Sequence, residues 1–95
     1  MSEYLFKHLF VGDSGKDVIF LGYRLNLTPA EYRIIKIIAE KGRAGTEEIY
    51  TEFKKSLTKG NVAVHICAIN RKAAFISERR LIEYTDKCYF FNEFM

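Results

Sequence analysis

Asn61–Ile76 reads NVAVHICAINRKAAFI, and its periodicity sets the architecture of the whole chain. Turning about 100° per residue, Val62, Ile66, Ile69 and Ala73 fall within about 60° of one another, a narrow apolar stripe at helical spacing. The opposite side carries Asn61, Val64, Ala68, Arg71 and Phe75. His65 and Lys72 lie on one flank and Cys67 on the other. Such a segment is expected to seat one ridge in a core and to present a mixed, partly basic surface to something outside it.

Charge is distributed to match. The net charge of 95 residues is only +3. Between Phe53 and Arg80, however, seven cations (Lys54, Lys55, Lys59, Arg71, Lys72, Arg79, Arg80) face one anion, Glu78. A basic segment on an otherwise mildly acidic body is an electrostatic footprint for polyanions. The competing reading is a solvated lysine-rich face.

Working back towards the N-terminus, Leu57–Gly60 is expected to be a short loop. It follows a helix that starts at Thr46, with Glu47 and Glu48 in its first turn, Ile49, Tyr50 and Phe53 inward, and Lys54-Lys55 at its end. A longer helix opens before it. Thr28 is an N-cap, Pro29 sits in the first turn where its missing N–H is harmless, and Glu31 completes a capping box. Tyr32, Ile34, Ile35 and Ile38 form its apolar face, and Lys41-Gly42 stops it. Tyr4–Val11 and Val18–Leu27 are aromatic and β-branched, with turn residues between them; Gly22 splits the second run into Val18–Leu21 and Tyr23–Leu27. In the latter, Tyr23, Leu25 and Leu27 are expected on one buried face. At the other end Leu81–Tyr84 and Cys88–Phe91 form a hairpin around Thr85-Asp86-Lys87. Tyr89, Phe90 and Phe91 are expected to pack in it, and Phe75 either folds under it or marks a partner site.

The order sheet, helix, helix, helix, hairpin predicts an α+β winged helix-turn-helix: one domain over residues 1–95, with an N-terminal antiparallel sheet to residue 27, a three-helix core over 28–76 and a hairpin wing over 80–92. No catalytic convergence is visible. Cys67 and His65 are two residues apart on a helix, about 200° round, and cannot pair within it. Cys67, Cys88, His8 and His65 have no metal-site spacing, so neither metal nor cofactor is expected, and the thiols read as free. No apolar run of membrane-spanning length and no leader pattern occurs, which predicts a cytoplasmic protein with no membrane contact.

Three segments resemble the OmpR/PhoB-type winged-helix effector domain of two-component response regulators. Leu27–Gly42 (LTPAEYRIIKIIAEKG) is similar to that family's LT-x-x-E helix start. Asn61–Lys72 (NVAVHICAINRK) resembles its V-D-V-H-I third-helix signature, and Leu81–Phe91 (LIEYTDKCYFF) its I-x-T-V-R-G-x-G-Y-x-F wing. The likeness spans nearly the whole chain. It departs at Ala63, where the family has Asp; at Cys67, Ala68 and Asn70, where arginines are common; and at Asp86, Lys87 and Cys88, where the wing has a basic residue and glycines.

The resemblance implies a transcription regulator that binds double-stranded DNA, with the third helix in the major groove and the wing on the flanking backbone. The expected contacts are Lys59, Asn61, Val64, His65, Ala68, Arg71, Lys72, Arg79 and Arg80. Val64 and Ala68 are expected at thymine methyls, Asn61 and Asn70 at base edges or phosphates, Arg71 at a base or phosphate, and Lys59, Lys72, Arg79 and Arg80 at phosphates. His65 has a second reading as a packed residue that orients the helix. The resemblance further implies a receiver domain elsewhere in the protein, a homodimer on repeated sites, and RNA polymerase at the loop Ser56–Gly60. The alternative is a degenerate winged helix used for protein contact, with Val64, Ala68 and Phe75 as its apolar patch and weak or no DNA binding.

Overall fold

The computed structural model describes residues 4–6, 8–12, 17–53, 59–78 and 80–92, with the side chains of Lys59 and Gly60 excepted. It is an α+β fold of three helices and two antiparallel sheets. The first sheet has the order β1 (Tyr4–Leu5), β2 (Leu9–Val11), β3 (Val18–Phe20), β4 (Tyr23–Arg24). Helices α1 (Pro29–Lys41), α2 (Thr46–Glu52) and α3 (Lys59–Ala73) follow. The short β5 (Arg43–Gly45) lies between α1 and α2, and the hairpin β6 (Ile82–Thr85) and β7 (Cys88–Phe91) closes the chain. This layout is compatible with a winged helix.

Alternation builds the first sheet. Leu9, Val11, Val18 and Phe20 point to one face and are buried in the core, whereas Phe10 and Ile19 pair across the other face. The expected strand Tyr4–Val11 is in fact two. The chain reverses between Phe6 and Leu9, where the Phe6 N–H donates to the Leu9 carbonyl at 2.7 Å, and Leu5 returns opposite Phe10. Gly22 does divide the next run. Leu21 joins it in the turn, both with positive φ (52° and 84°), and so leaves the strand. Of the expected inward set, Leu25 is buried and Leu27 half-buried, but Tyr23 is exposed. Only two residues of this run pair with β3, so no strand pleat extends to Leu27.

Helix α1 starts and stops as its signals predict. The Thr28 hydroxyl accepts from the Glu31 N–H at 3.2 Å, the Glu31 carboxylate accepts from the Thr28 N–H at 2.9 Å, and the Gly42 N–H closes onto the Ile38 carbonyl at φ 79°. Tyr32, Ile34, Ile35, Ile37, Ile38 and Ala39 are all buried, so most of its circumference is covered and it forms the central strut of the core. Tyr32 reaches the first sheet by donating its hydroxyl to the Gly12 carbonyl.

In α2, Ile49 is buried, Tyr50 half-buried, and the C-cap Phe53 buried. Arg33 of α1 ties its end down, donating to the Glu52 carbonyl at 2.9 Å and stacking 4.5 Å from the Phe53 ring centre. Lys54 and Lys55, and Ser56, Leu57 and Thr58 of the expected loop, lie outside the described residues.

β5 has no counterpart in the sequence reading. It joins the hairpin as a third strand, in the order β5-β7-β6, with Ala44 opposite Tyr89. Among the described residues no helix is long and apolar enough to cross a membrane.

Candidate nucleic-acid interface

Helix α3 begins at Lys59, two residues earlier than expected, and ends at Ala73, with residues 74–76 in a turn. Its apolar ridge is seated as the spacing requires: Val62, Ile69 and Ala73 are fully buried and Ile66 almost so. Burial of each of the three larger side chains stabilises this placement by about 1.5–3 kcal/mol. The opposite side is open. Asn61, Ala63, Val64, Cys67 and Arg71 are exposed, Val64 by 63%. Ala68 and His65 are half-buried.

Two polar contacts among the described residues hold the helix against its neighbours. Towards the hairpin, the Asn70 Nδ2 donates to the Ile82 carbonyl at 3.0 Å and its Oδ1 accepts from the Ile82 N–H at 2.8 Å. Towards α1, the Lys72 ammonium meets the Glu31 carboxylate at 2.5 Å. Glu31 is only 4% exposed. Burial pushes its pKa upward, but the hydrogen bond from Lys72, the Thr28 N–H and the charges of Lys72 and His65 pull the other way, and the net displacement is downward. The carboxylate that caps α1 therefore also anchors α3.

Two expected site residues therefore have partners within the fold. Lys72 pairs with Glu31 and Asn70 with the hairpin backbone, contacts within the fold that the sequence reading did not anticipate. Val64 and Arg71 stand outward on one face, and Arg80 is exposed just before β6. Lys59 belongs to the first turn of α3, but its side chain, like the whole of Arg79, lies outside the described residues.

The hairpin stands beside α3. Its turn residues Asp86 and Lys87 both have positive φ (54° and 64°), the two-residue geometry that matches the twist of paired strands. Tyr84 and Tyr89 pair across the strands with ring centres 4.7 Å apart. Between helix and hairpin runs a groove of about 310 Å³, lined by Ala63, Cys67, Asn70, Arg80, Tyr84 and Tyr89 among others. The sequence reading gave Lys87 no role. It is exposed at the hairpin tip. Among the described residues Arg71, Arg80 and Lys87 make no ion pair.

Phe75 does not fold under the hairpin. It is 90% exposed, at the rim of a groove of about 490 Å³ shared with Tyr23, Leu25 and Ile76, between the end of α3 and the first sheet. Among the described residues no His, Cys, Asp or Glu cluster is arranged to hold a metal ion.

No protein-family model matches this sequence, and no curated protein is found similar to it.

Proposed function

We propose that the chain is a double-stranded DNA-binding module of a transcription regulator, with α3 in the major groove and the β6–β7 hairpin as a wing on the flanking backbone. One observation carries this reading. The ridge of α3 is locked into the core while Val64 and Arg71 stand clear, and Arg80 lines the groove between the helix and the hairpin. A helix held by one face and edged by unpaired cations suits a groove walled by phosphates. The resemblance of three segments to OmpR/PhoB-type effector domains supports the same reading. By extension it supports a cytoplasmic two-component response regulator with a receiver domain, dimeric operator binding and contact with RNA polymerase.

The test is fluorescence anisotropy with mixed-sequence duplexes at two salt concentrations. Binding that weakens steeply as salt rises is the expected result. Absence of binding to any duplex even at low salt ends the proposal.

A second reading, a module for protein contact, is favoured by the exposure of Phe75 beside Tyr23 on the apolar groove. It expects self-association or partner capture that Phe75→Ser abolishes. Light scattering of a monomer at all concentrations, with retention of DNA alone in pulldowns, counts against it.

A further inference from the structure

We propose that the outward face of α3 selects A·T-rich duplexes through the C5-methyl groups of thymine, which Val64 meets. The inference rests on the duplex-binding reading above and concerns what that site prefers.

Hydrogen-bonded reading of the major groove uses Arg or Lys on guanine and Asn or Gln on adenine. The fold engages two side chains of that kind on α3, Asn70 and Lys72. Both amide atoms of Asn70 are held by Ile82, and Lys72 is held by Glu31. His65, half-buried, lies on the same flank as Lys72, and its charge acts on the Glu31 carboxylate.

What this leaves forward on the helix is chiefly hydrocarbon. Recognition helices meet base edges with their N-terminal part, and there the exposed positions among the described side chains are Asn61, Ala63, Val64 and Cys67, with Ala68 half-buried. Val64 presents two methyl groups and no hydrogen-bonding atom, at 63% exposure. The apolar group on a base edge in the major groove is the thymine methyl. Arg71 lies two turns further along the same face, Arg80 lines the groove beside the helix, and Lys87 is exposed at the hairpin tip. Their contacts with phosphates supply charge-driven affinity that is indifferent to sequence. Selection then falls to Val64 and, behind it, Ala68. Burying about one methylene equivalent changes affinity by about fourfold for each methyl engaged.

The experiment compares four short duplexes by anisotropy at low salt: an alternating A·T duplex, the same with deoxyuridine for thymidine, a G·C duplex, and that duplex with 5-methylcytosine. Replacing thymidine by deoxyuridine removes the methyl and leaves the hydrogen-bonding edge intact. The expected result is about fourfold weaker binding per methyl lost, with a gain on methylating cytosine. Val64→Ser is expected to bring the thymidine-to-deoxyuridine ratio towards one by weakening the thymidine duplex. Because Val64 is exposed, the variant is expected to fold, which circular dichroism checks. Equal binding of the thymidine and deoxyuridine duplexes overturns the inference and leaves the duplex-binding reading standing. Binding to none of the four overturns both.

Discussion

Asn70 completes the open edge of the strand that begins at Ile82, taking both its N–H and its carbonyl at 2.8 and 3.0 Å. β6 is an edge strand, and Ile82 lies opposite Phe91. Counting back from the turn, this is a pair whose backbone groups point away from β7, so without Asn70 they would have no strand partner. The side chain thus stands in for a neighbouring strand and couples the hairpin to α3. Asn70→Ala is expected to cost about 1–3 kcal/mol, since it leaves two partly buried backbone groups unmet. Asn70→Asp keeps the acceptor and should fall between. Urea denaturation measures the loss. Hydrogen exchange adds a second reading: protection should fall in β6 and β7 before α1, and unchanged exchange in the hairpin contradicts the coupling.

The ion pair between Glu31 and Lys72 makes stability depend on pH in a definite direction. Glu31 is displaced below its ordinary value of 4.5 in the folded chain. A group lowered on folding contributes stability that is fully present above the unfolded value and is lost as pH falls through the folded one. The wild-type protein should therefore lose this contribution on acidification below about pH 4.5. Lys72→Met removes the partner and leaves the carboxylate buried. Because Lys72 is one-third exposed, a loss of about 1–3 kcal/mol at neutral pH is expected, less than for a fully buried pair. That loss should shrink as pH falls and the isolated carboxyl takes up a proton. Denaturation curves from pH 3 to 7 decide it, and a penalty independent of pH would show that the pair carries little.

The two faces of α3 should separate cleanly under mutation. Ile69 is fully buried, so Ile69→Ala opens a cavity and is expected to cost about 2–5 kcal/mol. Val64→Ala, on the exposed side, should change stability by no more than about 0.5 kcal/mol. Thermal or urea unfolding of both variants tests the orientation of the helix. Comparable losses would mean that it is rotated from this placement.

How far the sequence carried the fold depended on whether the deciding contact was local. Thr28, Glu31 and Gly42 act within one turn of α1, so its ends were legible, and the stripe Val62, Ile66, Ile69, Ala73 identified the buried ridge of α3. Three other features depend on distant partners. Arg43–Gly45 has no strand pattern of its own and becomes one because β7 offers an open edge. Phe6-Lys7-His8 contains none of the usual turn residues, so the reversal between β1 and β2 was unsignalled. Lys72 and Asn70 look available on a helical wheel, yet their partners Glu31 and Ile82 lie 41 and 12 positions away. Periodicity shows which side of a helix is apolar but not which of its polar residues are already engaged.

The hairpin turn holds two residues in a conformation that ordinary side chains disfavour. Asp86 and Lys87 both have positive φ, a cost of roughly 1–2 kcal/mol per residue for branched or bulky side chains and less for Asn or Gly. Lys87→Gly relieves the strain but adds freedom to the unfolded chain, so a net gain of about 0.5–1 kcal/mol is expected. If Lys87 also touches a phosphate, the same variant should bind duplex DNA more weakly while melting higher. A variant that gains neither stability nor loses affinity would remove Lys87 from both roles.

Arg71 and Arg80 differ in what they can reach, and the difference is measurable. Arg71 projects from α3 itself, whereas Arg80 sits in the connection before β6. Under the DNA-binding reading Arg80 contacts only the backbone. Arg80→Ala should then weaken all duplexes alike and reduce the slope of log affinity against log salt by about 1. Arg71 has two possible targets. If it grips a phosphate, Arg71→Ala behaves in the same way. If it meets a base, the variant loses about 1–3 kcal/mol on the preferred duplex and little on others, so the ratio between duplexes changes while the slope hardly does. The thymine-methyl selection proposed for Val64 expects the first pattern, because Arg71 then supplies affinity without discrimination. Anisotropy titrations of both variants at several salt concentrations, on an A·T and a G·C duplex, separate the cases. A change of preference on loss of Arg71 would move base recognition from the methyl groups to the guanidinium.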